Sequence, residues 1–187
     1  CLPVLANTQE HTSPTKPSLV LQITVDGLRG DLLERYKHNF AKSGFRYLMD
    51  QGTHYTNAHY EHGNTETIVG HVSLATGAPP SVHGMVGNIW YDRQKERLVY
   101  NVEDDSYSML TIGAGVNQST EVDPTQKAAQ KDGRSPVPIL STTFSDELRL
   151  SNNGQSKAFS VSIKDRGAIS LGGHAGKAFW FSKSKAD

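Results

Sequence analysis

Three polar residues in the first half of this 187-residue chain stand where a strand or a helix is predicted to end or begin. Asp26 directly follows an apolar run, and a carboxylate there can ligate a divalent cation or form an Asx turn. Thr67 stands at a predicted helix start, where free N–H groups stabilise an alkoxide or a phosphate, although threonine is also an ordinary N-cap. Asn88 follows Gly87, and its amide can donate to a phosphoryl oxygen or simply complete a turn.

Two cations follow in the second half of the chain, at the end of another predicted strand. Lys164 and Arg166 are two residues apart, and alternate residues of an extended segment point to the same side. An ammonium and a guanidinium that converge in this way suit a tetrahedral phosphate, whereas a solvated charged loop needs no such partner. Together with Asp26, Thr67 and Asn88, the two cations favour a site for phosphate chemistry.

Alternating strands and helices must position these residues. The sequence pattern predicts strands over 18–25, 53–60, 157–163 and 177–181, helices over 31–49, 67–76 and 144–150, and a hairpin from 89–91 and 98–102. Gly44 is expected to bend or break the first helix, Ser141 to cap the last, and residues 103–138 to form a polar surface excursion. This order predicts an α/β fold with a mainly parallel central sheet flanked by helices, in which ligands bind beyond the carboxyl ends of the strands.

Composition and the N-terminal residues restrict the class of protein. Equal numbers of basic and acidic residues, 19 of each, argue against a surface for non-specific nucleic-acid binding. A single cysteine, Cys1, excludes a disulfide framework and a cysteine-rich zinc module, and no apolar run has the length of a transmembrane segment. Residues 1–17 are interpreted as the remnant of a secretory signal or a flexible tether, with Cys1 as a lipoprotein terminus or an arbitrary boundary as alternatives. A periplasmic or secreted location is therefore expected.

Several segments resemble the alkaline phosphatase superfamily, in particular its bacterial alkaline phosphatases with a threonine nucleophile. The resemblance extends over about residues 19–181, and residues 18–187 are interpreted as the N-terminal part of such a catalytic domain. It rests on residues 25–31, 67–71, 76–77, 83–88, 164–166 and 173–174. The 41-residue step from Asp26 to Thr67 and the 21-residue step from Thr67 to Asn88 are also similar to that branch.

The resemblance implies hydrolysis of small phosphate monoesters through a phosphothreonine on Thr67. It implies two divalent metal ions, with zinc expected, of which one is held by Asp26 and Thr67. It also implies that Asn88, Lys164 and Arg166 bind the substrate phosphate. Further metal ligands are expected downstream, so the chain is expected to need the rest of the same polypeptide and to be inactive alone.

Other interpretations remain open at this point. A phosphodiesterase or nucleotide pyrophosphatase of the same superfamily shares the Asp, Thr and Asn pattern, and a non-catalytic phosphate-binding domain would need no second metal. His54, His59 and His62 are alternative metal ligands, but their spacing is not typical of zinc sites. His71 follows Thr67 by one helical turn as a candidate base or, preferably, a structural histidine, and His174 is interpreted as structural.

Overall fold

The computed structural model describes residues 16–181 of the chain. Within this range there are seven α-helices, one 3₁₀ helix and four short strands. The helices are α1 (Leu32–Tyr36), α2 (Phe45–Gln51), α3 (Thr67–Thr76), α4 (Pro80–His83), α5 (Pro124–Lys127), α6 (Phe144–Leu150) and α7 (Asp165–Gly172), and the 3₁₀ helix is Lys37–Asn39. The strands are β1 (Ile89–Asp92), β2 (Arg97–Tyr100), β3 (Phe159–Ser162) and β4 (Lys177–Trp180). No helix in residues 16–181 is long and apolar enough to cross a membrane.

Helix α7 connects the two strands of a parallel pair. β3 and β4 run in parallel from Phe159 opposite Lys177 to Ser162 opposite Trp180. Parallel neighbours need a crossover connection, and α7 supplies it while packing on both strands. Helix α3 also packs against α7. The predicted α/β fold with a parallel sheet and flanking helices is thus confirmed, with a sheet that is small in the described part of the chain.

The apolar core lies beneath α3 and the β1–β2 hairpin. Ile68, Val69 and Val72 occupy one face of α3 and are fully buried, together with Met85 and Tyr100. Each aliphatic side chain buried in this way contributes about 1.5–3 kcal/mol relative to an exposed position. The core therefore holds the first turn of α3, which carries Thr67, against the end of the hairpin.

Most predicted elements of the central and C-terminal parts are confirmed. Helices α3 and α6 have the predicted bounds, the hairpin forms, and β3 and β4 lie within the two predicted strands. The predicted N-cap of α6, Ser141, is wrong, because the N-cap is Thr143. The Thr143 hydroxyl accepts from the Asp146 N–H (3.2 Å), and the Asp146 carboxylate accepts from the Thr143 N–H (2.8 Å), which completes a capping box.

The predicted strands over 18–25 and 53–60 are wrong for the structure described here. A strand needs a neighbour that pairs with its backbone, and within residues 16–181 neither segment has one. Leu19, Leu21 and Ile23 are accordingly 70–77% exposed. The single helix predicted over 31–49 is instead α1, the 3₁₀ helix and α2, and Gly44, with φ +62°, directly precedes α2.

Residues 103–138 form the surface excursion that their polarity predicts only in part, because several of their polar side chains are buried. Glu103, Gln126, Arg134 and Ser135 in this segment are all buried. They are buried because they find polar partners, such as the Glu103 carboxylate that accepts from Arg97 at 2.8 Å. The segment is therefore anchored to the fold and brings α5 to the start of α7.

Candidate active site

The first turn of α3 is held by the loop that ends at Asn88. The Asn64 side chain donates to the Val86 carbonyl (2.7 Å), and the Asn88 N–H donates to the Glu66 carboxylate (2.6 Å). The Asn88 side-chain oxygen accepts from the Ile68 N–H (3.1 Å), one of the N–H groups that a helix start leaves unpaired. The backbone before Thr67 is thus fixed on both sides.

The orientation of the Asn88 amide follows from these contacts. Because a backbone N–H can only donate, the atom facing Ile68 must be the amide oxygen. Nδ2 is then the end of the amide that can donate to a ligand. The Asn88 carbonyl is held by the Asn101 side chain at 2.6 Å, so the residue is anchored between α3 and the hairpin.

Asp26 and Thr67 meet although they are 41 residues apart. The Thr67 hydroxyl donates to the Asp26 carboxylate at 3.4 Å, on the exposed side of the α3 start. Gly27, with φ +70°, turns the chain directly after Asp26. The nucleophile and the carboxylate implied by the resemblance therefore lie side by side.

Asp26 and Thr67 supply two adjacent oxygen donors, which suit one side of a divalent-ion site. Across residues 16–181, no group of three or more His, Cys, Asp or Glu side chains could hold a metal ion. The residues present therefore fit part of a metal site and not a whole one. His54, His59 and His62 do not complete it, since they form no such group within residues 16–181; their contacts are to Glu34, Asn57 and Tyr60, respectively.

The two other histidines that the sequence singles out have structural partners. His71 Nδ1 lies 2.8 Å from the Thr67 carbonyl, which can only accept, so Nδ1 carries the proton in this contact. His174 lies with Nδ1 3.0 Å from the Asp146 carboxylate and Nε2 3.0 Å from the Ile139 carbonyl. These contacts agree with the structural interpretation of both residues.

Lys164 and Arg166 converge on a carboxylate that the sequence did not point to. Asp123 Oδ2 lies 2.5 Å from Lys164 Nζ and 3.4 Å from Arg166 Nη1. The sequence predicts an extended backbone for this pair, and this prediction is wrong for Arg166. Lys164 is extended, but α7 begins at Asp165 and Arg166 is helical. The cations meet because both reach Asp123.

Burial and hydrogen bonding determine the charge of Asp123. Burial alone would raise the pKa of this carboxyl, but hydrogen bonds from Lys164 and Thr125 and the charge of Arg166 outweigh it. They hold the pKa of Asp123 far below its ordinary value. Asp123 is therefore ionised throughout the physiological pH range and offsets one of the two positive charges.

A second buried network holds the turn between the two cations. Asp165 accepts from the Tyr100 hydroxyl (2.7 Å), from Arg134 Nε (2.7 Å) and from Gln126 (3.3 Å). Burial and the charge of Asp165 raise the pKa of Tyr100 far above its usual range, so its hydroxyl remains a donor. These residues are distant in sequence and are brought together only by the fold. The start of α5 has a local sequence signal. Asp123 is its N-cap, and Pro124 occupies the first helical position.

The two groups of candidate residues lie on packed helices. A methyl group on Gly167 would lie 3.8 Å from Cδ2 of His71 and 2.5 Å from the Ser162 hydroxyl. The start of α7 therefore passes close to α3, one turn from Thr67. This places the Thr67 group and the Lys164–Arg166 pair on neighbouring elements.

Comparison with known proteins identifies the family. Residues 20–166 match the model of the type I phosphodiesterase / nucleotide pyrophosphatase family. The chain belongs to this family. Its relatives include alkaline phosphatase PhoV of Synechococcus elongatus, 39% identical over 89% of this chain and 28% of that protein. Alkaline phosphatase PafA of Elizabethkingia meningoseptica is 35% identical over 92% of this chain and 29% of that protein. These matches confirm the resemblance of the sequence to the alkaline phosphatase superfamily.

A solved structure extends the family likeness to the fold. It is a PafA variant in which one Thr, one Asn, one Lys and one Arg are substituted. The structures superpose with a TM-score of 0.72 at 30% identity, over 87% of this chain and 29% of that chain. The chain thus has an alkaline-phosphatase-like α/β fold and spans about 28–29% of the length of the relatives it matches.

Proposed function

We propose that the complete protein containing these residues hydrolyses phosphate monoesters, with Thr67 as the nucleophile and a phosphothreonine as the intermediate. The observation that carries the proposal is the Thr67 hydroxyl at the start of α3, 3.4 Å from the Asp26 carboxylate. A hydroxyl at a helix N-terminus faces a positive end of the helix dipole, which favours developing negative charge. Such a position suits a nucleophile better than it suits an ordinary cap, because Glu66 and not Thr67 precedes the helix.

The residues of this chain have distinct roles in the proposed reaction. Asp26 accepts the hydrogen bond of the Thr67 hydroxyl and thereby orients Oγ1 toward phosphorus. Oγ1 loses its proton and forms a bond to phosphorus while the bond to the alcohol oxygen breaks, and the alcohol leaves with one proton on its oxygen. Water then attacks the phosphothreonine, which releases inorganic phosphate and restores Thr67.

The three non-bridging oxygens of the phosphoryl group need hydrogen-bond donors or positive charges around them. We propose Asn88 Nδ2, Lys164 and Arg166 for this role, since donors placed in advance stabilise charge as it develops. Asp26 and Thr67 are the described residues that would hold one of two divalent ions, with zinc expected. When bound, these ions would supply charge stabilisation and lower the pKa of the attacking hydroxyl.

The spacing of the PafA substitutions supports these assignments. The substituted Thr and Asn of that variant are 21 residues apart, as are Thr67 and Asn88. Its substituted Lys and Arg are two residues apart, as are Lys164 and Arg166. The same residue types thus occur here with the same separations.

Phosphodiester hydrolysis is the second candidate function. The family name, type I phosphodiesterase / nucleotide pyrophosphatase, favours it. The pair of cations favours a monoester, because a terminal phosphate carries two negative charges and a diester only one. A comparison of kcat/KM for a monoester and a diester therefore distinguishes the two candidate functions.

The test uses the complete protein with an aryl phosphate monoester and the corresponding bis-aryl diester. We expect higher kcat/KM for the monoester, loss of turnover with a metal chelator, and recovery with zinc. Thr67→Ala should abolish turnover, whereas Thr67→Ser keeps a hydroxyl and should retain measurable activity. Turnover by Thr67→Ala at the wild-type rate contradicts the nucleophile, and higher kcat/KM for the diester supports the second candidate. The 187 residues alone are expected to show negligible hydrolysis.

We also propose an exported protein, periplasmic or secreted. The apolar and then polar order of residues 1–17 supports this, although residues 1–15 lie outside the described structure. Fractionation of cells expressing the complete protein tests it, and recovery of all the protein in the cytoplasmic fraction would contradict export.

A further inference from the structure

We propose that Asp123 is a positioning residue for phosphate binding, which holds Lys164 and Arg166 together as one cationic pair and so favours monoesters over diesters. The inference rests on the proposed function and adds a residue to it. It starts from a single atom, since Asp123 Oδ2 contacts both Lys164 Nζ (2.5 Å) and Arg166 Nη1 (3.4 Å).

Asp123 is itself held firmly through its other oxygen. Oδ1 accepts from the Thr125 N–H (2.9 Å) and from the Thr125 hydroxyl (2.6 Å), because Asp123 is the N-cap of α5. Pro124 at the first helical position fixes the backbone there. The carboxylate is thus attached to the fold by Oδ1 and presents Oδ2 to the cations.

Arg166 is fixed by one of its three nitrogens. Nη1 faces Asp123, the Thr125 hydroxyl (3.0 Å) and the Tyr100 hydroxyl (3.4 Å). Nε is buried and, within the described residues, has no hydrogen-bond partner. A guanidinium carries five N–H donors, so this arrangement leaves donors for an incoming anion.

Lys164 depends on Asp123 more strongly than Arg166 does. Its side chain is 37% exposed, whereas that of Arg166 is 6% exposed. A lysine of this kind has a flexible stem and, without a fixed partner, populates many rotamers. Removal of the Asp123 charge would also leave Lys164 and Arg166 as neighbouring like charges, which repel each other.

The alternative role for Asp123 is a competing anion that substrate must displace. The contacts of Oδ1 argue against it, since a carboxylate tied to the α5 N-terminus cannot move away without losing both Thr125 hydrogen bonds. A fixed carboxylate instead places the two cations side by side. The two roles make opposite predictions for Asp123→Asn, because loss of a competitor would strengthen phosphate binding.

The test compares Asp123→Asn with wild type in the complete protein, through kcat and KM for the aryl monoester and diester, and through direct binding of inorganic phosphate. We expect a fall of about tenfold or more in monoester kcat/KM, a change of less than about threefold for the diester, and weaker phosphate binding. The loss should be smaller in a Lys164→Ala background, since one of the two positioned cations is then absent. Asp105→Asn is the matched control, because Asp105 lies in the same polar segment and its side chain is 60% exposed.

Two results would overturn the proposal. The first is an unchanged monoester-to-diester ratio, with or without a lower Tm, and the second is stronger binding of phosphate by Asp123→Asn. Failure of the proposed function looks different, as wild type would then not hydrolyse the monoester. In that case phosphate binding still tests the role of Asp123. Unchanged affinity of Asp123→Asn for phosphate refutes the positioning of Lys164 and Arg166 by Asp123, and weaker affinity supports it.

Discussion

Substitution of Asn88 by Asp should separate stability from activity at the start of α3. The Asn88 side-chain oxygen accepts from the Ile68 N–H at 3.1 Å, and an aspartate oxygen of the same shape can accept the same bond. The other end of the amide, Nδ2, is the proposed donor to phosphate, and in aspartate it becomes a second acceptor. One substitution therefore keeps the structural contact and removes the functional one.

The expected magnitudes follow from the two ends of the side chain. A negative charge near the first turn of a helix contributes about 0.3–1 kcal/mol, so Asn88→Asp should be as stable as wild type or slightly more stable. Loss of a hydrogen bond to a charged group costs about 1.5–3 kcal/mol, which corresponds to a fall of about 10- to 150-fold in kcat/KM. Repulsion between the new carboxylate and the substrate dianion adds to that loss.

Asn88→Ala is the matched comparison, because it removes both ends. We expect it to lower the free energy of unfolding by about 1 kcal/mol, as loss of a helix cap does, and also to lower kcat/KM. Denaturant unfolding and steady-state kinetics of the two variants in the complete protein measure both quantities. Monoester turnover by Asn88→Asp within threefold of wild type would refute the role of Nδ2, and equal destabilisation of the two variants would refute the capping contact.

Two further predictions concern the stability of the α6–α7 region. Gly173→Ala should lower the free energy of unfolding by about 2 kcal/mol or more. The reason is that φ of Gly173 is +66° and that an added Cβ would overlap the Thr143 hydroxyl. A fall in Tm would show this destabilisation. Burial alone would raise the pKa of Asp146, but the Thr143 N–H and His174 outweigh it and lower that pKa. The stabilisation by Asp146 is therefore complete above its ordinary pKa of about 3.8 and is lost as the pH falls through the lower value of the folded state. Unfolding measured from pH 6 to pH 2 should show this loss in wild type and less of it in Asp146→Asn.

The parts of the fold that were predictable carry their own local signals. Gly77, with φ +66°, caps the C-terminus of α3, and the apolar face formed by Ile68, Val69 and Val72 has helical spacing. Residues 18–25 have an equally clear strand pattern but no strand forms, because pairing depends on a neighbour and not on the segment itself. Local patterns thus predict which conformation a segment favours, whereas sheet formation depends on distant residues.

The candidate site shows the same division. Asp26, Thr67 and Asn88 could be singled out because each stands beside a predicted boundary. Asp123 could not, since it lies in a polar segment whose sequence predicts only exposure. Its partner Lys164 is 41 residues away, and no spacing rule connects an N-cap in one segment with a strand end in another.

The pairing of Lys164 and Arg166 was predicted correctly for the wrong reason, and the difference supports the role of Asp123. In an extended segment the two side chains would point to one side without any partner. Arg166 is instead the second residue of α7, whereas Lys164 is the extended residue directly before that helix, so the pair does not lie in one regular segment. The alternation of side chains along a strand therefore does not bring the cations together. Asp123 contacts both, so the geometry of the cationic pair proposed to bind phosphate depends on a carboxylate that does not itself bind the substrate.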